Sequence, residues 1–105
     1  MKRTSVREIL SGELLGKKVT VAGWIRTRRD SKGGFSFLEL NDGSCLKNLQ
    51  IIAQEQLSNY RSELLKLHPG ASIVAEGSLL ESPAAGQSFE LKADSIRVLG
   101  FCEPL

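Results

Sequence analysis

The sequence predicts a small all-β protein whose five strands close into a barrel. Five segments carry the two-residue alternation of apolar and polar side chains, or the short apolar run, that is typical of strands. Clusters of the turn-forming residues Gly, Asn, Asp, Ser and Pro separate these segments. With 105 residues, of which 41% are hydrophobic and 25% charged, the chain has the composition of one globular domain able to bury a core without disulfides or metals.

A short helix is predicted before the first strand. Ser5-Val6-Arg7-Glu8 fits a capping box, in which the serine hydroxyl caps the helix and the glutamate reaches back to the serine amide. Gly12 ends the helix, because glycine readily adopts the left-handed backbone of a C-terminal cap. The residues of its apolar stripe are Val6, Ile9 and Leu10.

The first two strands form a hairpin at the centre of the chain. Every second residue from Val19 to Ile25 is apolar or glycine, which is typical of a half-buried strand. Ser31-Lys32-Gly33-Gly34 is a turn, and the next strand places Phe35, Phe37 and Glu39 on one face and Ser36, Leu38 and Leu40 on the other. Asn41-Asp42-Gly43-Ser44 then turns the chain again, since these residues tolerate positive φ.

A third strand and a helix are predicted next. Leu46 to Ala53 is apolar enough for a strand, on which Gln50 shares a face with Asn48 and Ile52. A helix is expected from apolar residues at spacings of three, four and three, namely Leu57, Tyr60, Leu64 and Leu67. Pro69 ends this helix, because proline disfavours helical geometry at the residue before it.

The last two strands lie on either side of a loop over Ser82–Gln87. Ser72 to Glu81 predicts the fourth strand, with Ile73, Ala75, Gly77 and Leu79 on one face. Ser88 to Ala93 alternates cleanly and predicts the fifth, with Glu90 and Lys92 on the same side. A final apolar stretch contains Ile96, Val98 and Leu99.

This order of elements is that of the OB-fold. Three strands, a helix and two more strands form a five-stranded Greek-key barrel, which binds ligands across strands two and three and the neighbouring loops. An SH3-like barrel or an α+β sheet is compatible with the same pattern.

Charge and cysteine content restrict the classes of partner. The net charge is only +2, so a polyanion site must be a local patch, and the densest basic run is Arg26 to Lys32. Cys45 and Cys102 fit no metal-ligand spacing, so we expect a reduced intracellular protein, with a single disulfide as the alternative. No apolar run is long enough to span a bilayer and no signal peptide follows Met1, so we expect a cytoplasmic protein that binds no membrane.

The hairpin suits single-stranded nucleic acid, because bases stack on aromatic rings while cationic side chains hold the phosphates. A solvated arginine strand beside two core phenylalanines is the alternative at this point. Catalysis has little support: the single histidine, His68, lies at a predicted helix stop, and Gly33-Gly34 lacks the lysine and hydroxyl of a phosphate-binding loop. The residues therefore indicate a binding module, and a small hydrolase has none to support it.

Two adjacent motifs carry a resemblance to a known family. GWIRTRRD (residues 23–30) followed by FSFLELNDGSC (residues 35–45) resembles the N-terminal anticodon-binding domain of bacterial-type asparaginyl-tRNA synthetases. That OB-fold domain is shared by the class II enzymes for aspartate, asparagine and lysine. The resemblance covers nearly the whole chain, including VAEG (residues 74–77) and QSFE (residues 87–90), and favours the asparagine enzyme over an aspartyl-type domain.

The resemblance implies a role for each of six residues. Phe37 matches the aromatic that stacks on the middle anticodon base, a uridine, and Gln50 matches the glutamine at the uracil edge. Glu90 matches the acid that reads the first base, a guanine or its modified form, because a carboxylate can accept from the N1–H and the exocyclic amine together. Phosphate contact or stacking is expected of the basic strand end: Arg26, Arg28 and Arg29. The alternatives are a core ring for Phe37, an idle strand residue for Gln50 and a salt-bridge partner for Glu90, while Trp24 is assigned to packing.

The resemblance also implies what the chain lacks. The family's catalytic domain, with its ATP and magnesium site, follows this domain, so residues 1–105 are expected to form one anticodon-binding domain, with residues 1–17 as the N-terminal helix and lead-in, and to need no cofactor. The implied partner is the anticodon loop of asparagine tRNA. The parent enzyme is expected to be a homodimeric ligase and the isolated domain a monomer without catalytic activity. A free-standing OB-fold single-strand binder and a protein-interaction module are the alternatives.

Overall fold

The computed structural model describes residues 3–82 and 89–101, and these form a closed five-stranded barrel. The strands are β1 (Lys18–Ser31), β2 (Phe35–Asn41), β3 (Leu49–Gln54), β4 (Ser72–Glu81) and β5 (Phe89–Gly100). Around the barrel their order is β1-β2-β3-β5-β4, with β3 and β5 parallel and the other neighbours antiparallel. The predicted five-stranded OB barrel is confirmed.

The barrel interior is filled by every second residue of each strand, as the pleat requires. On β2 the fully buried side chains are Ser36, Leu38 and Leu40, while Phe35, Phe37 and Glu39 are only partly covered. The core continues with residues that are shielded from solvent entirely: Ile25, Leu49, Ile51, Ile73, Leu79 and Leu91. Burying one face of each strand leaves the opposite face on the outside of the barrel.

β1 is long enough to pair with two different strands. Lys18 to Trp24 pair with β4, and Trp24 to Ser31 pair with β2. A register shift between Ile25 and Thr27 marks a bulge in the second half of β1. Because a bulge adds one unpaired residue, it re-aims every side chain that follows it relative to the barrel. Arg26 is the extra residue of this bulge, which precedes Arg28 and Arg29.

The N-terminal helix is confirmed as α1 (Val6–Ile9), with Ser5 as its cap. The Glu8 amide donates to Ser5 Oγ at 3.1 Å, and Gly12 has φ +84°. The turn after β2 holds the helix start, since the Val6 amide donates to Asp42 Oδ2 at 2.9 Å. Burial acts to raise the pKa of Asp42, but hydrogen bonds from the Ser44 side chain and from backbone amides outweigh it, so the pKa lies below its ordinary value of 3.8.

The third strand begins later than predicted. β3 starts at Leu49, whereas the apolar pattern placed its start at Leu46. The side chain of Asn41 explains the difference, because its Nδ2 donates to the carbonyls of Cys45 (3.3 Å) and Lys47 (3.4 Å) and holds this segment as a loop. Leu46 is left fully exposed, with a relative accessibility of 101%.

The prediction of a helix between the third and fourth strands is wrong. Residues 55–67, all within the described part of the chain, form turns and a short 3-10 helix, η1 (Leu64–Lys66). The backbone hydrogen bonds span different numbers of residues. The Glu63 amide donates to the Asn59 carbonyl four residues earlier, and the Leu65 amide donates to the Tyr60 carbonyl five residues earlier. A segment this short depends on tertiary contacts rather than on helix propensity. Its apolar spacing still identifies buried residues, namely Tyr60, Leu64 and Leu67.

The last strands follow the prediction, with one difference. β4 has the predicted bounds, and its inward residues alternate as expected. β5 is one continuous strand through Gly100, with a register shift opposite Glu76 and Gly77. Residues 83–88, which include most of the predicted loop and Ser88, lie outside the described residues, as does Cys102. Within residues 3–82 and 89–101, no helix is long and apolar enough to cross a membrane.

Candidate nucleic-acid interface

The outward side chains of β2, β3 and the start of β5 form a continuous surface, which we call the outer wall. It consists of Phe35, Phe37, Glu39, Gln50, Ile52, Gln54, Glu90 and Lys92. The strand register sets these residues in rows across the barrel: Phe37 is opposite Ile52, and Gln50 is opposite both Glu39 and Glu90. The structure therefore brings the predicted ring, amide and acid together on one face, from three separate strands.

Phe37 is a partly covered ring with fixed neighbours. Phe35 meets it edge to face, with ring centroids 5.1 Å apart and an interplanar angle of 84°. The guanidinium carbon of Arg29 lies 4.9 Å from the Phe37 centroid, within the range of a cation–π contact. Phe37 is thus a partly covered ring on the outer wall rather than in the core, with a cation beside it.

Gln50 and Glu90 form a nearly enclosed pair. Their relative accessibilities are 6% and 8%, and Gln50 Nε2 donates to Glu90 Oε2 at 3.2 Å. This bond orients both groups before any ligand arrives. It leaves the carbonyl oxygen of Gln50 able to accept, and the second oxygen of Glu90 able to accept as well. The pair is therefore preformed on the outer wall and keeps acceptor oxygens that this bond does not use.

A second carboxylate lies on the other side of Gln50. Glu39 is its register partner on β2, and Glu39 Oε2 accepts from Asn48 Nδ2 at 3.2 Å. The sequence motifs assign no role to Glu39 or Asn48. The two-residue alternation nevertheless places Glu39 on the same face as Phe37, and Asn48 on the same face as Gln50. Lys92 is also on the outer wall, exposed and opposite Ile52. The centre of this surface thus carries carboxylate and amide groups, and cationic side chains lie at its edges.

The three arginines of the basic run point in different directions. Arg29 flanks the outer wall over Phe37. Arg28 lies on the other side of β1, where Nη1 donates to the Leu64 carbonyl at 3.4 Å and contacts Asp30 at 3.6 Å. Arg26 follows Ile25 in the bulge and lines a cleft beside the turn after β2. Of the three, only Arg29 contacts one of the predicted base-reading residues.

Arg28 belongs to a polar network that ties β1 to the segment before β4. Its partner Asp30 accepts from Ser36 Oγ at 2.7 Å, and that fully buried hydroxyl is 2.8 Å from the Tyr60 hydroxyl. The side chain of Arg28 is 22% exposed. A buried hydroxyl must be hydrogen-bonded to avoid a desolvation cost, and this network satisfies it. Its contacts are those of a structural residue.

Trp24 is 39% exposed and packs against the turn after β2, where a Cβ on Gly43 would lie 3.5 Å from its ring. This contact is consistent with the packing role expected of it. Among the described residues, no group of three or more His, Cys, Asp or Glu side chains is placed to hold a metal ion.

Comparison with known families shows which family the chain belongs to. A family model for tRNA anticodon-type domains, described as an OB-fold nucleic acid binding domain, matches residues 19–99. The chain belongs to this family. The match runs from Val19 in β1 to Leu99 in β5 and so includes the outer wall and all six predicted site residues.

Curated relatives of this OB-fold domain are asparagine–tRNA ligases. The protein of that name from Rhodopirellula baltica is 53% identical over 103 residues, which cover 98% of this chain and 21% of the relative. The one from Haemophilus ducreyi is 50% identical over 103 residues, covering 97% of this chain and 22% of the relative. The chain therefore spans about one fifth of the length of the relatives it matches.

Solved structures share the fold. Asparaginyl-tRNA synthetase from Pyrococcus horikoshii, complexed with asparaginyl-adenylate, superposes with a TM-score of 0.84 at 23% identity, over 100% of this chain and 24% of that one. An OBody bound to hen egg-white lysozyme gives a TM-score of 0.80 at 20% identity, over 100% of this chain and 96% of that one. At these identities the likeness establishes the barrel and no more.

Proposed function

We propose that this OB-fold domain is the anticodon-binding domain of an asparagine–tRNA ligase and binds the anticodon loop of asparagine tRNA. The observation that carries the proposal is the convergence of Phe37, Gln50 and Glu90 on the outer wall, beside Arg29. Single-stranded loops are where RNA exposes stackable faces and readable edges. Relatives at 50–53% identity that bear the ligase name support the choice of asparagine.

The ring of Phe37 stacks on the middle base of the triplet. Arg29 already lies over this ring, so it moves to the phosphate of the same nucleotide or remains as part of the stack. Both arrangements use the guanidinium as a cation next to an aromatic surface. Phe35 is nearly perpendicular to this ring, with centroids 5.1 Å apart, and holds it in position on the outer wall.

Gln50 and Glu90 read the base edges. The Gln50 amide presents its carbonyl oxygen to the N3–H of a uracil, while its own N–H remains on Glu90. Glu90 accepts from the N1–H and exocyclic amine of a guanine, which adenine lacks in that arrangement. Because both side chains are held before binding, little rotamer entropy is lost when the base arrives.

Ligase chemistry belongs to the rest of such a protein. The chain corresponds to about a fifth of the relatives' length, and this domain positions the tRNA while the remainder activates asparagine. ATP, magnesium and the dimer contacts of the parent enzyme are assigned to that remainder. The isolated domain is proposed to act as a monomer in the cytoplasm, with no cofactor of its own and no membrane partner.

Binding of a labelled RNA hairpin tests the proposal. The hairpin carries the asparagine anticodon GUU in a seven-nucleotide loop, and a scrambled loop of equal length is the comparison. Phe37→Ala is expected to lose about 1–3 kcal/mol of binding, the value of one stacked base. Leu65→Ala, which truncates an exposed apolar side chain in η1, serves as the control. Equal binding of the Phe37→Ala variant and the unmodified protein refutes the stacking role.

Salt dependence separates the proposal from its alternative, a non-specific single-strand binder. The alternative requires similar affinity for the GUU and scrambled loops and a steep loss of both with salt. Preference for the GUU loop at fixed salt supports anticodon recognition. Failure to bind any RNA at low salt supports a protein-interaction module instead.

A further inference from the structure

An open cleft of about 460 Å³ lies at the end of the β2–β3 hairpin. Its lining consists of Arg26, Asn41, Gly43, Cys45, Leu46 and Asn48. The cleft is continuous with the outer wall, because Asn48 donates to Glu39, and Glu39 is the register partner of Gln50. Asn41 is four residues beyond Phe37 on β2, a separation of roughly 13 Å at the rise of a strand. The cleft is therefore a neighbour of the base-reading residues and is distinct from them.

Two side chains at this cleft lack partners. Arg26 is exposed and makes no hydrogen bond or ion pair with any residue in the described ranges 3–82 and 89–101. Three other cations in these ranges lie within 4.0 Å of a carboxylate, namely Lys18, Arg28 and Arg61. Leu46 is fully exposed on the same cleft. A single exposed leucine is ordinary, but one that adjoins an unpaired guanidinium provides both an apolar surface and a cation for one ligand.

The floor of the cleft is held in place by Asn41. Its Oδ1 accepts from the Gly43 amide at 2.7 Å, and its Nδ2 donates to Asn48 Oδ1 at 3.0 Å. The Asn41 side chain is nearly enclosed, with a relative accessibility of 8%. The loop and the Asn48 amide are thus fixed before a ligand binds, which reduces the ordering cost of binding.

We propose that this cleft binds the nucleotide adjacent to the anticodon triplet. Arg26 contacts the phosphate or stacks on the base, Leu46 packs on the base face, and Asn48 contacts the base edge. A nucleotide combines an anionic phosphate with an apolar base face, which matches the cation and the exposed leucine. The inference rests on the proposed function and extends the bound RNA beyond the three bases read on the outer wall. The nucleotides on the 5′ and 3′ sides of the triplet share this chemistry.

A double variant tests the cleft without disturbing the fold. Arg26→Gln and Leu46→Ser are combined, since both side chains are exposed and the variant is expected to keep the thermal unfolding midpoint of the unmodified protein. Three hairpins with the GUU anticodon are compared at one salt concentration: the intact loop, a loop abasic at the nucleotide just 5′ of the triplet, and a loop abasic just 3′ of it. Arg97→Gln, which removes one charge from an exposed position on β5, controls for net charge.

The double variant is expected to bind the intact hairpin about tenfold more weakly than the unmodified protein. With one of the two abasic hairpins that difference should shrink, because the nucleotide keeps its phosphate but loses the base that Leu46 packs on, and this identifies the nucleotide in the cleft by a double-mutant cycle. The Arg97→Gln variant should lose affinity slightly and equally for all three hairpins. A tenfold loss that persists with both abasic hairpins, or no loss with the intact one, overturns the inference. In both cases a preserved preference for GUU over a scrambled loop leaves the proposed function standing, whereas no binding of any hairpin overturns both.

Discussion

Two adjacent arginines are expected to respond oppositely to the same substitution. Arg28→Gln should lower stability and leave RNA affinity nearly unchanged, whereas Arg29→Gln should lower RNA affinity and leave stability nearly unchanged. The reason is their orientation: Arg28 contacts the Leu64 carbonyl and Asp30 behind β1, and Arg29 lies over Phe37 on the outer wall. The two residues are neighbours of identical charge, so each controls for the other.

The structure sets the magnitude of both effects. The Arg28 hydrogen bond is long, at 3.4 Å, and its ion pair with Asp30 is 3.6 Å, so the two together contribute about 1 kcal/mol. For a domain of this size that corresponds to a fall in Tm of roughly 4–8 °C. Arg29 makes an exposed cation–π contact and is proposed to contact a phosphate, so its loss should cost about 1 kcal/mol of binding, or roughly fivefold in Kd. The slope of log K against log salt should also fall by about 1.

Thermal unfolding and RNA titration of the same two variants measure these effects. Unfolding is followed by circular dichroism, and binding to the GUU hairpin by fluorescence anisotropy at several salt concentrations. If Arg28→Gln weakens RNA binding as much as Arg29→Gln while its Tm is unchanged, the assignment of Arg28 to the structural network is wrong.

Three further predictions concern the fold and its link to the site. Asp42→Ala should destabilise the domain by about 2 kcal/mol at pH 7, because the start of α1 loses its carboxylate acceptor. Since folding lowers the pKa of Asp42 from its ordinary value of 3.8, the part of this contribution that requires the charged carboxylate is present above that value and lost as the pH falls through the lower folded value, so the difference in stability between the two proteins should shrink in that range. Gly77→Ala should cost about 1–3 kcal/mol, because the added Cβ meets the Lys92 carbonyl and lies 2.8 Å from the Ala93 Cα. Gly100→Ala, whose Cβ would meet the end of the Ser72 side chain at 3.2 Å, should cost less by the same unfolding assay. Tyr60→Phe should leave the buried Ser36 hydroxyl with one partner fewer and lower stability by about 1 kcal/mol, without changing RNA affinity.

Much of the fold follows from the two-residue pattern alone. Alternation predicts the bounds of β4 and the faces of β2, and thereby places Phe37 on the opposite side from Leu38. The segment before β4 shows the limit of such reasoning. Its apolar spacing identifies the buried residues, but long-range bonds fix its path, such as that from Asn59 Nδ2 to the Ile96 carbonyl at 2.8 Å. Contacts between distant parts of the chain leave no local pattern in the sequence.

Part of the candidate site can likewise be predicted from the sequence, and part of it cannot. The faces of Gln50 and Glu90 follow from alternation within each strand, and their hydrogen bond confirms that the two strands present them together. The directions of the arginine side chains do not follow from the sequence, because strict alternation from Ile25 puts Arg29 on the inward face. The bulge after Ile25 reverses that phase and sends Arg29 to the outer wall. A bulge of one residue carries no distinctive sequence signal here, so only the structure separates Arg26, Arg28 and Arg29.

The measurement that tests the central claim most directly is base discrimination at the first anticodon position. Hairpins that differ only in guanine or adenine at that position are titrated with the unmodified protein and with Glu90→Gln, at one salt concentration. We predict that the unmodified protein prefers guanine and that the variant loses about 1–3 kcal/mol of this preference, since an amide accepts fewer hydrogen bonds than a carboxylate. If the variant binds both hairpins more weakly by the same factor, or if the unmodified protein shows no preference, Glu90 does not read the anticodon.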